Sequence, residues 1–308
     1  MHGGARPWEY DLIDFSANLN PWHPEFPIEN CHRYPYGEFD EIVSEFVGKE
    51  CAVIGGITEA IYLSFLLKEG DVITMRHTYS EYARVAKIFG RSVHYVEGLN
   101  PQPEDFYIPK NGIVFLCNPN NPTGIMKDRD FVKTLADECC DRNSLLFLDE
   151  AYIDFSGMDF DLDEECVLRV RSFTKLFGLP GIRVGYVVSM TDEIKKIRMP
   201  WSIGCAGASF LKFLENHGRE FLKETLPKII EERKRIGKIL GLKSSANFFL
   251  LNVGDADSFC SFARKRGILV RNCKSFYLPQ YIRFSVRRRW ENDILLEAIG
   301  EWFDSNFQ

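Results

Sequence analysis

The chain has 308 residues, 45% hydrophobic and 27% charged, with 44 acidic against 38 basic residues and a net charge of −6. That composition supports a sizeable core and excludes wholesale disorder, and the acidic balance argues against a general nucleic-acid binder. No apolar run reaches the ~20 residues that span a bilayer, and the N-terminus lacks the apolar stretch of a signal peptide, so a cytoplasmic protein is expected. Residues 1–35, rich in Pro, Asn and aromatics, read as an extended arm. Apolar runs then predict strands at 51–55, 72–75, 93–96, 113–117, 145–148, 167–170 and 184–188. Helix-like segments fall at 58–68, 80–89 and 128–140. Continuous apolar strands alternating with helices predict an α/β domain over 36–204, its mostly parallel seven-stranded sheet covered on both faces.

Beyond about residue 200 the pattern changes. Residues 208–241 read as a long charged helix, with Pro227 as a kink or boundary. Strands at 248–253, 268–271 and 281–286 and helices at 255–265 and 291–303 follow, which predicts a smaller α+β domain over 205–308. Arg287-Arg288-Arg289 reads as a solvated run. The nine Cys form no C-x-x-C pair, and their odd number argues for reduced thiols, with Cys51 and Cys117 as buried hydrophobes. The six His never cluster at metal-ligand spacing, so no metal is expected.

Four stretches carry chemistry. Ser172-Phe173-Thr174-Lys175 follows a strand and precedes a Gly-rich turn ending at Arg183. A desolvated Lys can form a Schiff base, and hydroxyls with an Arg can hold a phosphate, although a surface loop Lys fits the same residues. Leu145–Leu148 delivers Asp149 to the C-terminal end of a strand, where open α/β sheets bind ligands. An Asp there can pair with a protonated pyridine nitrogen or simply cap a helix, and Tyr152 lies three residues on. Asn118-Pro119-Asn120-Asn121-Pro122-Thr123-Gly124 makes a rigid turn at another strand end. Ile54-Gly55-Gly56-Ile57-Thr58 is a Gly turn opening a helix, whose first N–H groups could bind phosphate. No G-x-G-x-x-G or P-loop run is present, so a plain nucleotide binder is disfavoured.

With these residues the chain resembles the fold-type I pyridoxal phosphate enzymes of the class I/II aminotransferase superfamily. The likeness rests on Asn121-Pro122-Thr123-Gly124, Asp149-Glu150-Ala151-Tyr152, Thr174-Lys175 and Arg183 and covers nearly the whole chain. It implies that Lys175 bears the cofactor as a Schiff base and that Asp149 pairs with the ring nitrogen. It implies further that Asn121 and Tyr152 bind the ring oxygen, that Tyr79 stacks on the ring, and that Ile57, Thr58, Ser172, Thr174 and Arg183 hold the phosphate. Tyr34, in Arg33-Tyr34-Pro35, resembles the residue that reaches a neighbouring subunit's cofactor phosphate, which implies a homodimer.

Within the superfamily the chain is most similar to L-threonine-O-3-phosphate decarboxylases of cobalamin synthesis. That likeness rests on His2-Gly3-Gly4, Asp14-Phe15-Ser16-Ala17-Asn18-Leu19-Asn20-Pro21, Met199-Pro200-Trp201-Ser202, Ile268–Cys273 and Tyr281-Ile282-Arg283 closed by Arg287. Histidinol-phosphate aminotransferases of histidine synthesis are the alternative. Either likeness implies a phosphorylated amino acid or amine as substrate. The decarboxylase likeness implies substrate contacts from His2, Gly3, Asn18, Asn121, Arg271 and Arg283. A cofactor-binding regulator without activity is the non-enzyme rival, and the presence of both Lys175 and Asp149 argues against it.

Overall fold

The structure is a computed structural model and describes residues 3–159, 162 and 164–306. The arm contributes a short strand, β1 (Ile13–Asp14), and is followed by α1 (Phe39–Val47). The central sheet uses β2 (Ala52–Ile54), β3 (Val72–Met75), β4 (Val93–Val96), β5 (Ile113–Cys117), β6 (Leu145–Asp149), β7 (Val167–Ser172) and β8 (Gly185–Val187). Their order is β2-β8-β7-β6-β5-β3-β4. Strands β4, β3, β5, β6 and β7 are parallel, whereas β8 runs antiparallel to both of its neighbours. All seven expected strands form.

Every residue of β5 and β6 is buried, as the unbroken apolar runs require. Alternate side chains feed two separate cores. Ile113, Phe115, Leu145 and Phe147 join the core under α2 (Ile57–Leu67) and α3 (Glu81–Ile88). Val114, Leu116, Leu146 and Leu148 join the core under α4 (Arg129–Asp141). Period-2 alternation thus sorts one apolar sequence onto two faces.

After the short helices α5 (Phe173–Leu176) and α6 (Thr191–Ile197), the chain enters α7 (Cys205–Phe213). A π-helical turn at Leu214–Gly218 leads into α8 (Arg219–Leu240). Pro227 therefore does not bound a helix but lies within α8. Both Pro227 and Lys223, whose carbonyl loses its donor, are exposed, so water can satisfy that carbonyl. Then come β9 (Phe248–Asn252), α9 (Ala256–Arg264), β10 (Ile268–Leu269), β11 (Arg271–Asn272), β12 (Tyr281–Ser285) and α10 (Arg289–Asn306). A second, antiparallel sheet has the order β11-β12-β9. The strand expected at 268–271 is split at Val270, because β10 pairs with β1 of the arm while β11 pairs with β12. The arm is thereby stitched to the C-terminal part of the chain.

The expectation of reduced thiols is corrected. Cys31 is disulfide-bonded to Cys205 and Cys140 to Cys166. Partners 174 residues apart meet because the arm crosses the start of α7, a proximity that spacing along the chain does not reveal. Cys51 and Cys117 are buried free thiols, as expected. The basic run divides: Arg288 and Arg289 are exposed, whereas half-buried Arg287 pairs with Glu291 at 2.6 Å and donates to Asp14 O at 2.9 Å. Among the described residues, no helix is long and apolar enough to cross a membrane, and no His, Cys, Asp and Glu cluster could hold a metal.

Candidate active site

A cavity of about 580 Å³ opens at the C-terminal ends of the parallel strands, between the central sheet and the second sheet. Sheet register builds it, since Cys117 ends β5 directly opposite Asp149 at the end of β6. Asp149 is buried. Its Oδ2 accepts a 2.6 Å hydrogen bond from Tyr82 and its Oδ1 accepts from the Ala151 N–H at 3.0 Å. Burial pushes the Asp149 carboxyl up to about 6, against the pull of those two donors.

Lys175 lies on the one-turn helix α5, directly after the hydroxyls that line the cavity. Burial, with the nearby positive charges of Arg283 and Arg183, brings its ammonium down to about 8. Ser172 Oγ and Thr174 Oγ1 are 2.8 Å apart, and Ser172 also accepts from the Thr174 N–H. Ile57 and Thr58 open α2, so their N–H groups have no acceptor within the helix. Its N-cap, Gly56, has φ +87°, and a Cβ there would lie 2.8 Å from Arg183 Nη2. Glycine is required, because the backbone is left-handed and the guanidinium packs against it.

On the opposite wall, Asn18 Nδ2 donates to the Tyr152 hydroxyl at 3.4 Å. Arg283, on β12, is 5% exposed and donates to Asn121 Oδ1 and, at 2.8 Å, to Ser16 O. No carboxylate lies within salt-bridge range of Arg283 among the described residues, and burial lowers its affinity for its proton. Two buried polar atoms here, Asn18 Oδ1 and Arg283 Nε, have no hydrogen-bond partner. Arg271 donates to Ser275 and lines the same cavity. The arm reaches in as well, with the Gly4 N–H on Ser16 Oγ at 2.8 Å and the Ala5 N–H on Asp14 Oδ2 at 2.9 Å. A Cβ on Gly3 would collide with Ser16 O and come 3.3 Å from Arg283 Nη2.

Of the sequence-derived site residues, fourteen line this one cavity: Gly3, Asn18, Ile57, Thr58, Tyr79, Asn121, Asp149, Tyr152, Ser172, Thr174, Lys175, Arg183, Arg271 and Arg283. Tyr34 does not. It is 67% exposed, with its ring 4.6 Å from that of Trp201. His2 lies outside the described residues. Sequence reasoning missed Tyr82, which lies in the first turn of α3 with its ring 5.5 Å from that of Tyr79, just before the helix. It also missed Ser275 and Phe276, which line the cavity from a segment without a motif.

The chain belongs to the aminotransferase class I and II family, which matches residues 28–299. It is 30% identical to histidinol-phosphate aminotransferase 1 of Archaeoglobus fulgidus over 94% of this chain and 99% of that protein. It is 33% identical to the histidinol-phosphate aminotransferase of Thermococcus gammatolerans over 88% of this chain and 83% of that one. Among solved structures, the histidinol-phosphate aminotransferase of Clostridium acetobutylicum superposes with a TM-score of 0.82 at 24% identity, covering 95% and 100% of the two chains. L-threonine-O-3-phosphate decarboxylase of Porphyromonas gingivalis gives 0.76 at 21%, covering 94% and 99%, a likeness of fold. The preference for the decarboxylase over the aminotransferase is therefore not carried by these similarities, which favour the aminotransferase.

The protein is a pyridoxal 5′-phosphate-dependent enzyme of the aminotransferase family. The donor set fits that cofactor. A Lys with a lowered pKa suits the aldehyde, a buried Asp suits the ring nitrogen, and a helix N-terminus with two hydroxyls and Arg183 suits the phosphate. Asn121 spends its carbonyl on Arg283, which leaves its amide N–H groups to donate to a ring oxygen.

Proposed function

We propose that this enzyme transfers the amino group of a phosphorylated amine, histidinol phosphate, to a 2-oxo acid. The observation that carries this reading is Arg283, a buried guanidinium in the cavity wall with no carboxylate partner among the described residues. A buried cation of that kind is suited to an incoming phosphate or carboxylate, which its planar fork can hold by two bonds. Donor phosphate and acceptor carboxylate would occupy it in turn. The 30% and 33% identities to histidinol-phosphate aminotransferases support the same substrate class.

When bound, pyridoxal phosphate supplies an electrophilic carbon and a cationic ring that accepts the electron pair of a breaking bond at the substrate Cα. The chain's residues govern the rest. Asp149 holds a proton at the ring nitrogen. Tyr152 and Asn121 hold the ring oxygen, and Tyr79 covers the ring face. Ile57, Thr58, Ser172, Thr174 and Arg183 anchor the phosphate. Lys175 Nζ, neutral in an appreciable fraction near neutral pH, is the base that moves a proton on and off the substrate Cα. Arg283 and Arg271 fix the substrate's far end and so choose which Cα bond stands perpendicular to the ring. Tyr34, exposed on the arm, would complete the phosphate site of a second subunit.

A second reading, decarboxylation of L-threonine O-3-phosphate, is favoured by the arm, because Gly3 closes on Ser16 and Arg283 at the substrate end of the cavity. The test is a paired assay of the holoenzyme. One tube holds histidinol phosphate with 2-oxoglutarate and is read for glutamate. The other holds L-threonine O-3-phosphate and is read for CO₂. Glutamate is the expected product, and CO₂ without glutamate would replace this reading with the second.

A further inference from the structure

Asp149 does not stand alone at the floor of the cavity. Tyr82 belongs to α3 and is fully buried, its ring stacked 4.8 Å from that of Phe115. Its hydroxyl lies 2.6 Å from Asp149 Oδ2 and also meets the Cys117 thiol. Since the Ala151 N–H donates to Oδ1, each carboxylate oxygen is held by one donor. We propose that Tyr82 is a positioning residue that orients the Asp149 carboxylate toward the cofactor's ring nitrogen and keeps it ionised. This rests on Asp149 facing that nitrogen and is independent of which substrate the enzyme takes.

The physical case is one of competing terms. Burial favours the neutral carboxylic acid, and a neutral Asp149 could not stabilise a charged pyridine ring. A hydrogen bond to the ionised form opposes burial, and bonds to charged groups are the strong ones. The other titratable groups around Asp149 are Tyr79, Cys117, Lys175, Tyr152 and Glu150. Tyr79, Cys117 and Tyr152 all have raised pKa values and stay neutral at physiological pH. Glu150 is engaged by Arg169 and Arg171 of β7. Lys175 contributes a favourable charge only while protonated, and its own pKa is lowered. Tyr82, whose hydroxyl stays protonated throughout the physiological range, therefore stabilises the ionised carboxylate from outside the reacting atoms, and its loss matters most at the pH where Asp149 would otherwise take up a proton.

The test is Tyr82→Phe in the full-length protein, which keeps the ring stack on Phe115 and removes one hydroxyl. The dissociation constant for pyridoxal phosphate is measured by titrating the apoenzyme at pH 6 and pH 8. We expect it to weaken about tenfold at pH 6 and clearly less at pH 8. The acid limb of the kcat profile should move to higher pH in step. Asp149→Asn is measured in parallel, alone and combined with Tyr82→Phe. The account requires Asp149→Asn to weaken binding and Tyr82→Phe to add nothing in that background. An equal effect at both pH values, or an unmoved acid limb, would reduce Tyr82 to a packing residue and overturn the proposal. If Asp149→Asn itself left cofactor affinity unchanged, the placing of Asp149 would fall, and the proposal with it.

Discussion

Lys175 and Arg283 oppose each other electrostatically, and that opposition is useful. Two positive side chains near Lys175, together with burial, bring its ammonium down to about 8. Only the neutral amine attacks an aldehyde, so capture of pyridoxal phosphate by the apoenzyme should speed up with pH. The rate should climb about tenfold per unit below 8 and level off above it. Stopped-flow absorbance would follow this, and a rise continuing to pH 10 would contradict the lowered pKa. Arg283→Leu should raise KM for phosphorylated substrate by about a hundredfold or more, a far larger effect than on cofactor affinity, which Arg283 touches only through Asn121 and Lys175. An unchanged KM would remove Arg283 from the substrate site. Replacing Asp149 by Ala should cost about 10²–10³ in kcat, as expected for losing one preorganised charge partner. Most of these residues were legible because each sits in a short motif at a strand end. Tyr82 was not, because its partner is 67 positions away and no local pattern joins them.

Elements were legible where burial is symmetric. The unbroken apolar runs of β5 and β6 announce strands covered on both faces, and their register then sets Cys117 beside Asp149. The reversal of β8 was not legible, since strand direction leaves no mark in composition. Nor was the split between β10 and β11, which arises because the arm and the second sheet compete for neighbouring residues. The turn before α2 gives a sharper test. Gly56→Ala must place a methyl group 2.8 Å from Arg183 Nη2 at φ +87°. It should destabilise the protein by about 1–3 kcal/mol and weaken cofactor binding together. Calorimetry and cofactor titration check both, and a neutral effect would show that the loop relaxes freely.

At the scale of the whole molecule, the arm links the chain's two ends and presents Tyr34 outward. β1 pairs with β10, Arg287 holds Asp14 O, and Cys31 is bonded to Cys205. If Tyr34 serves a second subunit, light scattering should give twice the chain mass, and Tyr34→Ala should weaken cofactor binding without touching its own cavity. A monomer with full cofactor affinity would contradict this. The disulfides make a simple count: the unfolded, unreduced chain should titrate five thiols and the reduced chain nine. Nine before reduction would restore the expectation from the sequence.

The claim on which the rest depends is that Lys175 is the cofactor's anchor. Borohydride reduction of the yellow holoenzyme fixes the cofactor irreversibly to the amine that holds it, and peptide mass mapping then locates it. The account requires the pyridoxyl group on the peptide containing Ser172-Phe173-Thr174-Lys175. A label on any other lysine, or none at all, would contradict it.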